Sequence, residues 1–130
     1  MPSRNSELVR VAFDCFRRDD FESARELIHP EVRWYSSGAF PGFDPLYVGH
    51  ERVREWWQTL QEPWESFTID IEQEVERGNR VILAVRFRAV GKESGVPVDL
   101  PFGQVFEFED GLVTVFRPFP SWEEALAAAS

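Results

Sequence analysis

One cysteine, two histidines and one methionine occur among 130 residues, and no apolar run reaches the roughly 18 residues of a membrane-spanning helix. Each scarcity removes a class of chemistry. Cys15 alone excludes an internal disulfide and fits a reducing compartment. Cys15, His29 and His50 show no metal-ligand spacing, so no metal is expected. No cofactor is expected either: a Gly-rich phosphate loop and a nucleophile elbow are both missing. Positive charge is also short. Lys and Arg number 14 against 23 Asp and Glu, a net charge of −9. That balance repels phosphate backbones and anionic bilayers alike, so neither nucleic acid nor membrane is an expected partner. The first residues, "MPSRNSELVR", lack the apolar stretch of a signal peptide, and the expected location is cytoplasmic.

What the chain has in excess is aromatic surface. Twelve Phe, five Trp and two Tyr make up 15% of it, which suits a cavity wall or a subunit interface as well as a dense core. A chain of this length buries roughly two thirds of its unfolded surface. With no repeat or linker, one domain over residues 1–130 is expected.

Leu8, Ala12, Cys15 and Val9, Phe13, Phe16 recur at helical steps in "SELVRVAFDCFRRDD". Asp19 and Glu22 are spaced like a capping box for a second helix, "FESARELI", which the proline after His29 should end. "EVRWYS" reads as a strand. The loop "SGAFPGFDPLYVG" carries enough large apolar groups to pack down over something, and whether residues 37–48 form a lid is left open. "HERVREWWQTL" places Val53, Trp56, Trp57 and Leu60 on one stripe of a third helix. The remainder alternates with period two through "SFTIDIEQEVE", "RVILAVRFRAVG", "VPVDLPFGQVFEFE" and "LVTVFRPF", and Ser121 with Glu124 caps a last helix. Helices followed by an antiparallel meander give an α+β fold, with the helices expected on one face of a curved sheet.

That order, with "AFDCFRRDDFESARELIHPEVRW", "YVGHERVREWW", "RVILAVRFRAVGKESG" and "FEFEDGLVTVFRPFP", resembles the SnoaL-like polyketide cyclases of the nuclear transport factor 2-like superfamily. The resemblance implies a cone-shaped half-barrel, N-terminal helices on a curved antiparallel sheet around one apolar pocket, and a homodimer through the outer sheet face. It implies no single activity, because one shell hosts many chemistries. The positions matching the acids of ketosteroid isomerases hold Ala12, Trp34 and Gln104. Those matching limonene-epoxide hydrolases hold Arg86, Arg88 and Pro118, so only the Arg remains.

The hairpin at "PFGQVFEFEDGLVTVFRPFP" decides the pocket face. A two-residue turn at Asp110-Gly111 sets Gln104 opposite Arg117; a three-residue loop with a bulge sets Gln104 opposite Phe116 and Phe102 opposite Pro118. The resemblance favours the second, which turns Phe102, Gln104, Phe106, Phe108, Phe116 and Pro118 inward, with Trp34 and Trp56 on the same cavity. Read from its own strand, Arg86 faces solvent, since Leu83, Val85 and Phe87 form the apolar face. The resemblance reverses this and sets Arg86 inside, where it needs an anionic ligand or an acid such as Asp70 or Asp44.

Two functions remain open. One is a pocket protein for an aromatic, terpenoid or polyketide-like ligand. If it catalyses, the expected activity is a metal-free isomerase, cyclase or dehydratase type, with Arg86 and Gln104 stabilising negative charge and the base left to Asp70, His50 or the substrate. The alternative is a non-catalytic ligand-sensing or homodimeric interaction module.

Overall fold

The computed structural model describes residues 4–36 and 42–129. Helix α1 (Arg4–Arg17) buries Ser6, Val9, Ala12 and Cys15, one residue per turn along a single stripe. It stops in a Schellman turn. The Asp20 N–H donates to the Cys15 carbonyl at 2.8 Å, and the Asp19 N–H to the Phe16 carbonyl at 3.0 Å, with Asp19 left-handed at φ 56°. The expected cap is therefore one residue out of step. Asp20, not Asp19, caps α2 (Phe21–Ala24), accepting from the Ser23 amide at 3.2 Å and the Ser23 hydroxyl at 2.7 Å. These bonds hold the Asp20 carboxyl below its usual range.

The second helix is shorter than the sequence suggests. After α2 a single 3-10 turn (Arg25–Leu27) leads directly into β1 (Ile28–Tyr35), so His29 and Pro30 lie inside a strand and not at a helix end. The missing Pro30 N–H falls where β1 and β6 lose register, between Ile28 and Arg33, so no ladder bond is forfeited there. Part of the expected loop is a three-residue edge strand, β2 (Leu46–Val48). Residues 37–41, including Phe40, lie outside the described residues. Helix α3 (His50–Gln61) buries Val53, Trp57 and Leu60.

The long strands β3 (Trp64–Arg77), β4 (Arg80–Gly91), β5 (Pro97–Glu109) and β6 (Leu112–Phe119) complete one sheet in the order β2-β1-β6-β5-β4-β3. Every pairing is antiparallel except β1 with β6. The architecture is α+β, with the N-terminal helix packed on a curved six-stranded sheet. The main core lies on the concave face, where Val81, Leu83, Val85, Phe106 and Phe116 meet Val9, Phe21 and Val53.

Helices are not confined to that face. The C-terminal helix α4 (Trp122–Ala128), capped by Ser121 as its spacing with Glu124 suggests, packs Ala125 against Ile82 and Val105 on the convex side. Gly103 makes this possible: a Cβ there would stand 2.3 Å from the Ser121 carbonyl oxygen and 2.7 Å from the Ala125 Cβ.

Two bulges set which side chains face which way. The β5–β6 hairpin turns on two residues, Asp110 (φ 51°) and Gly111 (φ 79°), with Glu109 opposite Leu112. An extra residue at Thr114 then shifts the ladder, so that Gln104 stands opposite Pro118 and Phe106 opposite Phe116. Neither pairing expected from the sequence is the observed one, although the inward set is the one a bulged hairpin implies. In β3 the register slips at Glu72, and beyond it Glu74 turns toward α1, accepting from the Ser6 hydroxyl and from Arg10 at 2.8 Å.

Candidate functional site

Between α1, α3 and the concave sheet lies a cavity of about 160 Å³. Phe13 and Phe16 of α1, Trp56 and Trp57 of α3, Phe67 of β3, and Trp34, Phe106 and Phe116 from the sheet centre form its walls. The rings interlock. Trp34 stacks on Phe116 at 4.3 Å, with their planes 25° apart, and meets Trp56 at 5.2 Å; Phe106 meets Phe116 at 5.0 Å and Phe16 meets Trp57 at 4.8 Å. Such contacts are worth about 0.5–1.5 kcal/mol each beyond the area they bury, and they hold the walls rigid. A second cavity of about 70 Å³ lies beside the first, lined by Phe102, Pro118, Val85 and Phe87 among others. Trp56, Ile69, Gln104 and Phe116 line both.

Two polar atoms in this wall have no partner among the described residues. The Trp34 indole Nε1 and the Gln104 carbonyl Oε1 are both buried and unbonded, and Trp34 as a whole is 2% exposed. Leaving such a group dry costs about 1–3 kcal/mol, and buried polar atoms in native proteins are nearly always satisfied. One is a donor and the other an acceptor. Both residues flank β6 on the concave face, Trp34 beside Phe116 and Gln104 beside Pro118.

Apart from Phe108, which is buried in the main core, the aromatic and proline residues expected around a pocket line one or both cavities, and Gln104 lines both. Arg86 does not. It lies on the convex face, donating from Nη1 to Asp99 at 2.9 Å and from Nε to Glu72 at 3.2 Å. Its hydrogen bonds to Asp99 and then to Glu72 raise its pKa further, while Arg86 in turn depresses that of Asp99. Its inward placement is corrected by the β4 pattern itself: Leu83, Val85 and Phe87 are buried in the concave core, and Arg86 alternates with them. The acids named for it are elsewhere too. Asp70 lies 3.7 Å from Arg88 on the convex face, and Asp44 pairs with Arg52.

His50 donates from Nε2 to the Ile28 carbonyl at 2.6 Å, and His29 accepts at Nδ1 from the Glu31 amide at 3.0 Å, so both imidazoles serve local backbone. Burial pushes the Cys15 thiol up despite Arg18 nearby, which suits inert core. Among the described residues no group of three His, Cys, Asp or Glu side chains is placed to hold a metal ion, and no helix is long and apolar enough to cross a membrane.

The site residue that sequence reasoning missed is Asp19. Read as a helix cap, it is instead the single carboxylate among the residues lining the larger cavity. Its Oδ1 accepts from the Trp57 indole at 2.8 Å and from the Gln61 amide at 3.1 Å. The available signal was the paired Asp19-Asp20 at a helix end, where one residue must adopt the left-handed conformation and the other can cap.

The family profile of the SnoaL-like domain matches residues 9–116. No curated protein sequence matches. Among solved structures, the chain is similar to an NTF2-like protein of unknown function from Burkholderia pseudomallei K96243, at 22% identity, 96% of each chain and a TM-score of 0.83. It is similar to TerC co-crystallised with polyporic acid, at 20% identity, 97% of each chain and a TM-score of 0.82. A protein from Jannaschia sp. CCS1 assigned as a SnoaL-like polyketide cyclase shares 22% identity over 96% of this chain and 90% of that one, with a TM-score of 0.76. At these identities the likeness establishes the fold.

Proposed function

Because the chain belongs to the SnoaL-like domain family, we propose that it is a small-molecule pocket protein that takes a flat, largely apolar aromatic ligand between α1, α3 and the concave sheet. The observation that carries this is the pair of buried, unpartnered polar atoms, Trp34 Nε1 and Gln104 Oε1, set in an otherwise apolar aromatic wall. A ligand oxygen would accept from Trp34 and a ligand hydroxyl or N–H would donate to Gln104, removing both penalties at once. The volume suits one aromatic ring with a short substituent, since an apolar cavity of about 150 Å³ takes benzene. That TerC, with the same fold, was co-crystallised with polyporic acid supports a small-molecule occupant.

Turnover is a weaker reading than binding. Among the described residues the inner wall holds no carboxylate and no imidazole, and Gln104 can stabilise charge but not take a proton at neutral pH. Any proton transfer falls to Asp19 at the mouth. The homodimer belongs to the convex surface that α4 leaves free, where Asp70, Arg88, Asp99, Arg86 and Glu72 form an alternating ladder of charge that a two-fold copy can match.

A thermal-shift screen of aromatic, terpenoid and polyketide-like compounds tests the binding. A true ligand at a hundred times its Kd adds about 2.7 kcal/mol to stability. The expected result is a rise in Tm with aromatic compounds, retained in Arg86→Ala and reduced in Gln104→Leu. No shift with any compound removes the pocket reading and leaves the interaction module.

A further inference from the structure

We infer that Asp19 is the specificity-determining anchor of this cavity, selecting an aromatic ligand whose outer end carries a protonated amine. This rests on the pocket reading above and adds to it the charge of the ligand.

The argument starts from the backbone. Residue C′ of a Schellman turn is normally glycine, because left-handed φ is costly for a residue with a Cβ. Here it is Asp19, at φ 56°. The turn alone does not require a carboxylate. The side chain goes toward the cavity, where Oδ1 receives both the Trp57 indole and the Gln61 amide. Two donors on one oxygen fix the carboxylate plane. Oδ2 has no ion pair or hydrogen bond among the described residues. The result is a rigid, singly committed carboxylate at the mouth of an aromatic chamber, with Trp57 and Phe16 rings 4.8 Å apart beside it.

A cation is the ligand group that this mouth favours. Ring faces and a carboxylate both attract an ammonium. Outside the mouth an open groove continues past Asp19 along Asp20, Glu22 and Glu62, with Arg54 and Lys92 the basic residues there, and Arg54 is already paired with Glu22. Arg18 lies 3.8 Å from Asp20, so Asp19 and Glu62 are the groove carboxylates with no ion pair among the described residues, facing Lys92, and the chain's net charge of −9 adds to the attraction for a cation. Arg17 also reaches the mouth, but it is exposed and shares Asp14 at 3.8 Å. The second, independent mark of a ligand is at the far end, where the 98%-buried Trp34 presents its unpartnered Nε1. The class that satisfies both ends is an aryl-alkyl amine with an oxygen on the ring.

Three probes with one ring and one phenolic hydroxyl isolate the outer end: tyramine, 4-ethylphenol and 3-(4-hydroxyphenyl)propanoate. Affinities are read by calorimetry, and the indole N–H resonances of Trp34 and Trp57 report the pose. Tyramine is expected to bind at least about tenfold tighter than 4-ethylphenol, as charge-assisted bonds are worth roughly twice neutral ones, with the propanoate weakest. Added salt narrows the gap, because the mouth is solvent-exposed. Asp19→Asn keeps a residue that tolerates the turn and an acceptor for Trp57, and abolishes the preference. Asp19→Gly, which relieves the left-handed backbone but leaves the Trp57 indole without its acceptor, also abolishes the preference, and retained binding of 4-ethylphenol in both variants separates lost recognition from lost folding. Equal binding of amine and ethylphenol, tighter binding of the propanoate, or a preference that survives both variants overturns the anchor and leaves the pocket standing. Failure of all three probes while another compound of the thermal-shift screen binds overturns the anchor alone; failure of every compound overturns the pocket reading and the anchor with it.

Discussion

The two faces of β4 and β5 carry residues one position apart and obey opposite rules. On the convex face every charged group we name has a partner: Arg86 with Asp99 and Glu72, Arg88 with Asp70 and Asp99. On the concave face the Trp34 Nε1 and the Gln104 Oε1 have none among the described residues. Solvent explains part of the difference, because an exposed charge loses little without its partner, whereas a buried amide loses its water. The lesson is that charge does not mark the site in this sheet. Arg86 attracts attention as a charge and is structural; Gln104 is neutral and is the residue with unfinished bonding.

Breaking the convex face should give the largest effect. Gly103→Ala places a Cβ against the Ser121 carbonyl and Ala125, so α4 must shift or leave. Overpacking of this kind costs about 1–3 kcal/mol, to be read by denaturant unfolding. Ligand binding on the other face should persist in the folded fraction, and its loss there would mean that the faces are coupled. Next in size, Gln104→Leu removes a buried acceptor and should leave the ligand-free protein as stable or up to about 1 kcal/mol more so, while weakening any ligand that donates to that amide. Destabilisation of the free protein would show that Gln104 is structural.

The smallest effect concerns pH. The carboxyl of Asp99 is held below its usual range chiefly by its hydrogen bond from Arg86. A depressed folded pKa contributes stability that is present above the unfolded value, about 3.9, and is lost as pH falls through the folded one. Arg86→Ala should therefore leave neutral-pH stability nearly unchanged, since the pair is exposed, and flatten its decline below about pH 4. An unchanged acid limb would assign that decline to other carboxylates.

Much of this was legible from periodicity. The stripe of α1, the pattern of α3 and the alternation of the long strands each follow from which residues recur. The β4 pattern also set Arg86 outward, opposite Leu83, Val85 and Phe87, and only the resemblance turned it inward. The pocket aromatics were legible because any even shift in the hairpin keeps Phe102, Gln104 and Phe106 on one face. What was not legible involves single residues without a local signature. The bulge at Thr114 satisfies its geometry by tertiary pairing, and the three residues of β2 are too few to show a period. Asp19 and Asp20 are chemically identical, so their division into anchor and cap is decided by Trp57 and Gln61, some forty residues away.

Trp56 stands in the wall common to both cavities. It is only half-buried, and its ring leans on Trp34 at 5.2 Å without a hydrogen bond that any described residue is shown to supply. Such a side chain is a partition. In place, it divides the interior into a one-ring chamber and a small annexe. Shortened, it would widen the opening between the two, with Ile69, Gln104 and Phe116 still in the shared wall. If the pocket takes a ligand as proposed, that four-residue wall sets the length that fits.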